Sequence, residues 1–428
     1  MREDFLHFIW KTKRLPLDTL VASNGQKILV HDFGQHNHNS GPDFFNAKLE
    51  INGQLWAGNV EMHLKASDWY THGHETDTNY NNVILHVVWE DDVSVFRKDK
   101  TEIPTLELKN SIPNSLITAH NKLLENNSKR KFINCENDIA RVNEFVIDSF
   151  LERLFVERLE QKAELIFDLL KEANNDWEQV LFSMLLKNFG SKVNGTSFLS
   201  ISKSLHFSTV RKLQNNLFAL ESVLMGMAGL LESKEVLDAY YIELQKEYTF
   251  QKHKFNLNPS GVQKPDFFGL RPNNFPTIRL SQFADVYCKN KNLFSNLMRT
   301  NSLEDYYNIF NAAVSDYWQN HFTFKKESKP SRKRLTKNMI NLILINTVVP
   351  IKFAYFKSLG KDVNSELIAL MTAIGPEKNS IISKFNALNK KSTNAFQSQS
   401  KLQLYNNYCS LNHCLKCAVG NSLLNRNS

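Results

Sequence analysis

The chain has only five cysteines in 428 residues, too few for a disulfide scaffold in a protein of this size. It also lacks a long apolar run. The longest, from Met339 to Tyr355, is interrupted by Asn341, Asn346, Pro350 and Lys352, so no membrane span is expected. The opening MREDFLHFIWKTKR carries charges where a secretion signal needs an unbroken apolar stretch. Together these absences predict a cytoplasmic protein with no membrane partner. No repeat period is visible, and beyond Asp138 strand-like alternation is scarce. The length is ample for two or three domains with cores of their own, while oligomeric state leaves no mark in the sequence.

What is present begins with residues 41–65, GPDFFNAKLEINGQLWAGNVEMHLK. Phe45, Ala47, Leu49 and Ile51 alternate along one segment, the turn Asn52-Gly53 follows, and a second segment ends in Glu61, His63 and Lys65. Asn-Gly between two alternating runs is a strong hairpin signal. Residues two apart on a strand share a face, so Glu61, His63 and Lys65 project together while Val60, Met62 and Leu64 point the other way. The hairpin also folds Asp43 back beside Glu61. Two carboxylates and a nitrogen base at one sheet rim suit a Mg²⁺- or Mn²⁺-dependent phosphodiesterase, in which hard oxygens hold the ion. Asp43 and Glu61 are the candidate Mg²⁺ or Mn²⁺ ligands, with His63 or Lys65 as the basic partner.

The surrounding pattern predicts helical turns within 3–22, a strand over 25–33, a polar loop over 35–41, and a strand over 82–89 buried on both faces. Ser67 is placed to cap a short helix starting at Asp68, and further strand is expected at 93–96 and 105–108. Residues 1–135 hold 15 Lys+Arg against 17 Asp+Glu, a balance of −2, so the remainder carries 37 against 27, or +10. The acidic part holds the candidate ligands, and the basic part suits a phosphate-bearing partner, DNA or RNA.

Of the 13 histidines, eight lie in the first 90 residues: His7, His31, His36, His38, His63, His72, His74 and His86. Such crowding invites a metallohydrolase built on histidine, although none has the i, i+4 spacing of a zinc-binding helix. His72 and His74 either contact substrate phosphate or only cap a loop, and His86 sits inside an apolar strand as a core residue.

From Asn143 onward the periodicity is helical, with helices expected at 143–171, 176–189, 208–233, 235–248, 278–299, 303–320, 335–358 and 364–372. Two islands interrupt them. In residues 269–287, Arg271 and Arg279 either meet phosphate or pin a rigid loop through carboxylates. In residues 328–337, Arg332, Lys333 and Arg334 form a basic run, either a solvated face or a phosphate contact. Near the end, Cys409, Cys414 and Cys417 are spaced C-x4-C-x2-C beside His413. With Cys135 or His413 as a fourth ligand they form a candidate structural site for Zn²⁺ or an iron–sulfur cluster.

Pro42-Asp43 followed by Glu61-x-His63 resembles the signature of the PD-(D/E)xK nuclease superfamily, with His63 at the position normally held by lysine. The resemblance implies a restriction-endonuclease-like αβββαβ core. Some nucleases of that superfamily carry a comparable cysteine clasp around an iron–sulfur cluster. Over nearly its full length the chain also resembles an uncharacterised bacterial family catalogued as a domain of unknown function. That match rests on GPDFFNA, GNVEMHLKASDW, HGH, NVILHVV, LRPNNFPTIRL and YC…CLKCAVG. The expected architecture is α+β: a mixed-sheet nuclease-like domain over 1–135, then a larger all-α domain over 136–428 that ends in the cysteine motif. The expected function is a metal-dependent nuclease. The alternatives are an inactive nucleic-acid-binding protein and a histidine-based metallohydrolase.

Overall fold

Alternation and turn chemistry lay down one mixed sheet in the first part of the chain. The structure, a computed structural model, describes residues 2–37, 40–124, 131–324 and 326–426. Strands Ile28–Asp32 (β1), Gln35–His36 (β2), Phe44–Ile51 (β3), Gln54–Lys65 (β4), Val83–Glu90 (β5) and Thr105–Glu107 (β6) follow the order β1-β3-β4-β5-β6, with β2 also on β3. The pairings on β3 are antiparallel, whereas β4, β5 and β6 run parallel. Asn52 and Gly53 close the β3–β4 hairpin with φ of 53° and 84°, the two left-handed residues that a two-residue loop of this twist requires.

One expectation at the hairpin fails by a single residue. Phe44, not Phe45, is buried with Ala47, Leu49 and Ile51. Phe44 pairs with Val60 and Ala47 with Gly58, so β3 carries one residue more than β4 between these pairs. Asn46, at φ 58°, absorbs the extra residue as a bulge and turns Phe45 off the core face.

The two faces of the sheet differ. On one, helix Glu3–Lys11 (α1) contributes Phe5, Leu6, Ile9 and Trp10 to a core with Phe44, Val60, Met62, Val87 and Leu106. On the other, the single-turn helix Asp68–Thr71 (α2) inserts Trp69 among Tyr80, Val83, Val88, Val95 and Ile103. Helix Asn114–Leu124 (α3) returns to the first face with Leu116 and Leu123. Ser67 does not cap α2 through its side chain. Its hydroxyl instead donates to Asp92 at 2.8 Å, and its amide donates to the same carboxylate. Residues 93–96 form no strand; Phe96 only bridges Glu102.

The chain separates into two compact units. Met1–Phe150, Ala387–Lys390 and Leu404–Ser428 form the unit that holds the sheet, and Leu151–Asn386 with Lys391–Gln403 form the other. The C-terminal cysteine motif thus groups with the sheet, not with the helices that precede it in sequence. The second unit is mainly helical, with a small hairpin of His321–Thr323 and Lys326–Glu327. Its apolar stretch Lys337–Ser358 is long enough to cross a membrane by length and composition, and 72% of its apolar window is buried inside the protein.

Candidate functional site

The face of the sheet that receives Trp69 also carries Glu61 and His63 from β4 and His86 from β5. Alternation along β4 sends Val60 and Met62 into the α1 core, which leaves Glu61 and His63 on the opposite side. Glu61 stands in register with His86, and all three polar side chains are buried.

Asp43 arrives from the residue before β3, held by two reciprocal hydrogen bonds. Its amide donates to Glu61 Oε2 at 3.1 Å, and the Met62 amide donates to Asp43 Oδ2 at 3.0 Å. The Glu61 carboxylate is thereby fixed by the Asp43 amide, and the Asp43 carboxylate by the amide of Met62, the residue after Glu61. From α1, His7 Nε2 lies 3.2 Å from Asp43 Oδ2 and 3.8 Å from Glu3 Oε1. Three carboxylates therefore crowd one rim. Burial and the Asp43 charge push Glu61 up to about 9, and the same two causes raise Glu3. Burial alone would lower His7, but the carboxylates around it, Asp43 foremost, reverse this and raise it.

The loop after α2 brings His72 and His74 to the other side of Glu61. His74 Nε2 lies 3.4 Å and His63 Nε2 3.6 Å from Glu61 Oε1, and His63 Nε2 is 3.0 Å from His72 Nδ1. The His74 ring stacks on Tyr80 with centroids 3.7 Å apart and meets the edge of Trp69. Behind His63, its Nδ1 is 2.8 Å from His86 Nε2. His63 is pushed down to about 3 by burial and by its neighbours His74 and His72; burial likewise drives His86 well below the usual histidine range. These imidazoles are neutral at pH 7, so each of them keeps a ring nitrogen lone pair. Among the described residues, the groups of three or more ligand atoms lying within 4.8 Å of one another are His63–His72–His74 and Glu3–His7–Asp43.

Sequence reasoning therefore named five residues that the fold brings together, Asp43, Glu61, His63, His72 and His74. It missed Glu3 and His7 as site residues, although their i, i+4 spacing on α1 was a readable signal, and it took His86 only as core. His38 lies outside the described residues. Lys65 is not part of the cluster. It is exposed at the end of β4, in register with Glu90, and its charge acts on Asp92.

The candidates in the second unit divide. Arg271, Arg332 and Arg334 are exposed. Arg279 is buried and pins the loop before its helix, as one of the two readings held, but through neutral oxygens: it donates to Asn274 Oδ1 at 2.6 Å and Gln282 Oε1 at 2.9 Å. Lys333 is buried too, its Nζ donating to the carbonyls of Trp318 and Gln319, the latter at 2.7 Å. Neither of these two presents its charge to a partner.

In the sheet-bearing unit, Cys135, Cys409, Cys414 and Cys417 form no disulfide, and the last two are buried. Asn134 Nδ2 donates to Cys414 Sγ at 3.4 Å. Burial, then the nearby Cys417 and Cys414, push Cys135 up to about 12, and Cys409 is raised by burial and by the other three. The four thiols thus lie near one another. His413 turns to the backbone, with Nδ1 3.1 Å from the Asn407 carbonyl.

Comparison with curated proteins and with solved structures finds no match for the chain. A family model described as a protein of unknown function, DUF2851, matches residues 3–380, and the chain belongs to that family.

Proposed function

We propose that the protein is a metal-dependent nuclease whose hydrolytic site is the rim formed by Asp43 and Glu61. The observation that carries this reading is the fixing of both carboxylates by backbone amides, Glu61 by that of Asp43 and Asp43 by that of Met62. The two carboxylates are locked side by side, partly out of water, with Glu3 beside them, and burial together with the Asp43 charge disfavours the ionised state of Glu61 until positive charge arrives. A divalent cation supplies that charge and, when bound, a Lewis acid with a nucleophilic water. Asp43 and Glu61 would hold it, and His7, whose Nε2 lies 3.2 Å from Asp43 Oδ2, orients that carboxylate. The order α1, β1, the β3–β4 hairpin, α2 and β5 is compatible with a restriction-endonuclease-like plan, and the basic balance of residues 136–428 suits a nucleic-acid substrate. Lys65, exposed and turned toward Asp92, has no role in this site.

The full-length protein with Mn²⁺ or Mg²⁺ should cleave DNA or RNA, and Asp43→Asn and Glu61→Gln should each reduce cleavage to background while Lys65→Ala leaves most of it. Cleavage that persists in both carboxylate variants would refute the assignment. A wild type that binds nucleic acid and never cuts it would establish the non-enzymatic alternative.

A further inference from the structure

We infer that Glu61, His63, His72 and His74 form a nitrogen-rich site for a first-row transition ion of the zinc class, not for Mg²⁺. The argument is one of edge lengths. An ion bound at about 2.0–2.1 Å by nitrogen and oxygen in a tetrahedron sets its ligand atoms about 3.3–3.4 Å apart. The separations measured between these side chains are 3.0 Å for His63–His72, 3.4 Å for His74–Glu61 and 3.6 Å for His63–Glu61. The three imidazoles offer ring nitrogens that all lie within 4.8 Å of one another, and Glu61 Oε1 stands beside two of them, His63 and His74, so small shifts would close the set on one such ion. Three imidazoles and one carboxylate are a ligand set for zinc, cobalt, iron or manganese, whereas magnesium favours oxygen and retained water.

The surroundings hold the donors in place. His63 Nδ1 faces His86 Nε2 at 2.8 Å. If Nδ1 carries the proton, it donates to His86 and leaves Nε2 free toward the centre, the outer support that metal-bound histidines characteristically have. His74 is clamped by Tyr80 and Trp69. His72, exposed on its loop, can exchange its Nδ1 proton for one on Nε2, which frees the inner nitrogen without net proton release. The site stands on its own geometry, and it rests on the nuclease reading only for what the bound ion does.

Cobalt(II) titration of the full-length metal-free protein tests this without any substrate. Four-coordinate cobalt absorbs intensely in the visible range, and six-coordinate cobalt only weakly. The expected result is an intense band saturating at one equivalent, displaced by Zn²⁺ and untouched by millimolar Mg²⁺. Because His72 is exposed, His72→Ala spares the core; it and His74→Gln should each weaken Co²⁺ binding by more than about tenfold, while His31→Ala on β1 leaves it unchanged. A weak six-coordinate spectrum, ready displacement by Mg²⁺, or wild-type affinity in both the His72 and His74 variants would overturn the inference. An intense band in a protein that cuts no nucleic acid would retain the metal site and reject only the nuclease.

Discussion

Lys333 shows how a charge can mislead when only its neighbours in sequence are known. Arg332, Lys333 and Arg334 read as one basic face, but the segment is extended, and an extended chain alternates its sides. Arg332 and Arg334 are exposed, and Lys333 turns inward with Leu335. Its ammonium group binds two backbone carbonyls and lies 4.3 Å from the centre of the Phe322 ring. Lys333→Met keeps the apolar stem but leaves both carbonyls without their donor, which should cost about 1–3 kcal/mol in denaturant unfolding. Arg332→Ala and Arg334→Ala should each change stability by less than about 0.5 kcal/mol. If the exposed pair meets phosphate, the double variant should flatten the slope of log K against log salt by roughly 0.9 per lost contact with duplex DNA. An unchanged slope would make both arginines solvated charges, and an unfolding loss in Lys333→Met no larger than in the arginine variants would refute its structural role.

At the scale of elements, the hairpin was legible because Asn-Gly has few other uses between alternating segments. The bulge at Asn46 was not, because one extra residue leaves no mark in composition. Gly58 was equally silent. A Cβ there would come within 2.4 Å of Ile84 Cγ2 and 2.6 Å of the Asn82 carbonyl, so the β4–β5 approach that sets Glu61 beside His86 needs glycine. In the second unit, a single side chain ties helices together that sequence could only place separately. Glu221, on helix Leu217–Met227, accepts from Tyr240 (2.7 Å), Trp318 (2.7 Å), Ser281 (2.8 Å) and Ser315 (3.2 Å), which come from three further segments. Burial outweighs the four donors, so the carboxyl is raised above its usual 4.5. A raised carboxyl binds its proton more tightly folded than unfolded, so its contribution is full below about 4.5 and is lost as pH rises toward the folded value. Glu221→Gln keeps the shape and cannot ionise. Relative to wild type, its unfolding free energy should therefore improve steadily as pH is raised from about 4 to 7. A difference between the two proteins that is flat with pH would mean that Glu221 titrates alike folded and unfolded.

For the whole molecule, composition separates an acidic first part from a basic remainder near residue 135, but contacts assign residues 404–428 back to the sheet-bearing unit. Nothing in the local pattern announces that return except the cysteines themselves, since Cys135 has no use for a distant C-x4-C-x2-C unless the two meet. They do meet within that unit, where Asn134 bonds both Asn412 and Cys414 and anchors the two segments to each other. Gly420 permits the last helix to sit against the Cys414 turn, because a Cβ would strike the Cys414 carbonyl at 2.1 Å. Four thiols, one from residue 135 and three from the last 20 residues of the sequence, with no disulfide among them, are a ligand set for a soft ion, whereas the carboxylates and imidazoles of the sheet suit harder ones. We therefore expect the thiol site to differ in character from the metal sites of the sheet and not to exchange ions with them. A single zinc, with bonds near 2.3 Å, would require the sulfurs to draw into a tight tetrahedron. An iron–sulfur cluster interposes its own atoms between its ligands and accepts a wider spread. The thiols are not among the groups whose ligand atoms lie within 4.8 Å of one another, so iron is the better fit. Protein purified without oxygen should carry iron and acid-labile sulfide, retained in Glu61→Gln and in His72→Ala. Cys414→Ser should lose both, lower the melting temperature, and leave cobalt binding at the histidines unchanged. Zinc in place of iron would keep the site and correct its occupant, and freshly prepared protein with neither metal would reduce the four cysteines to packing.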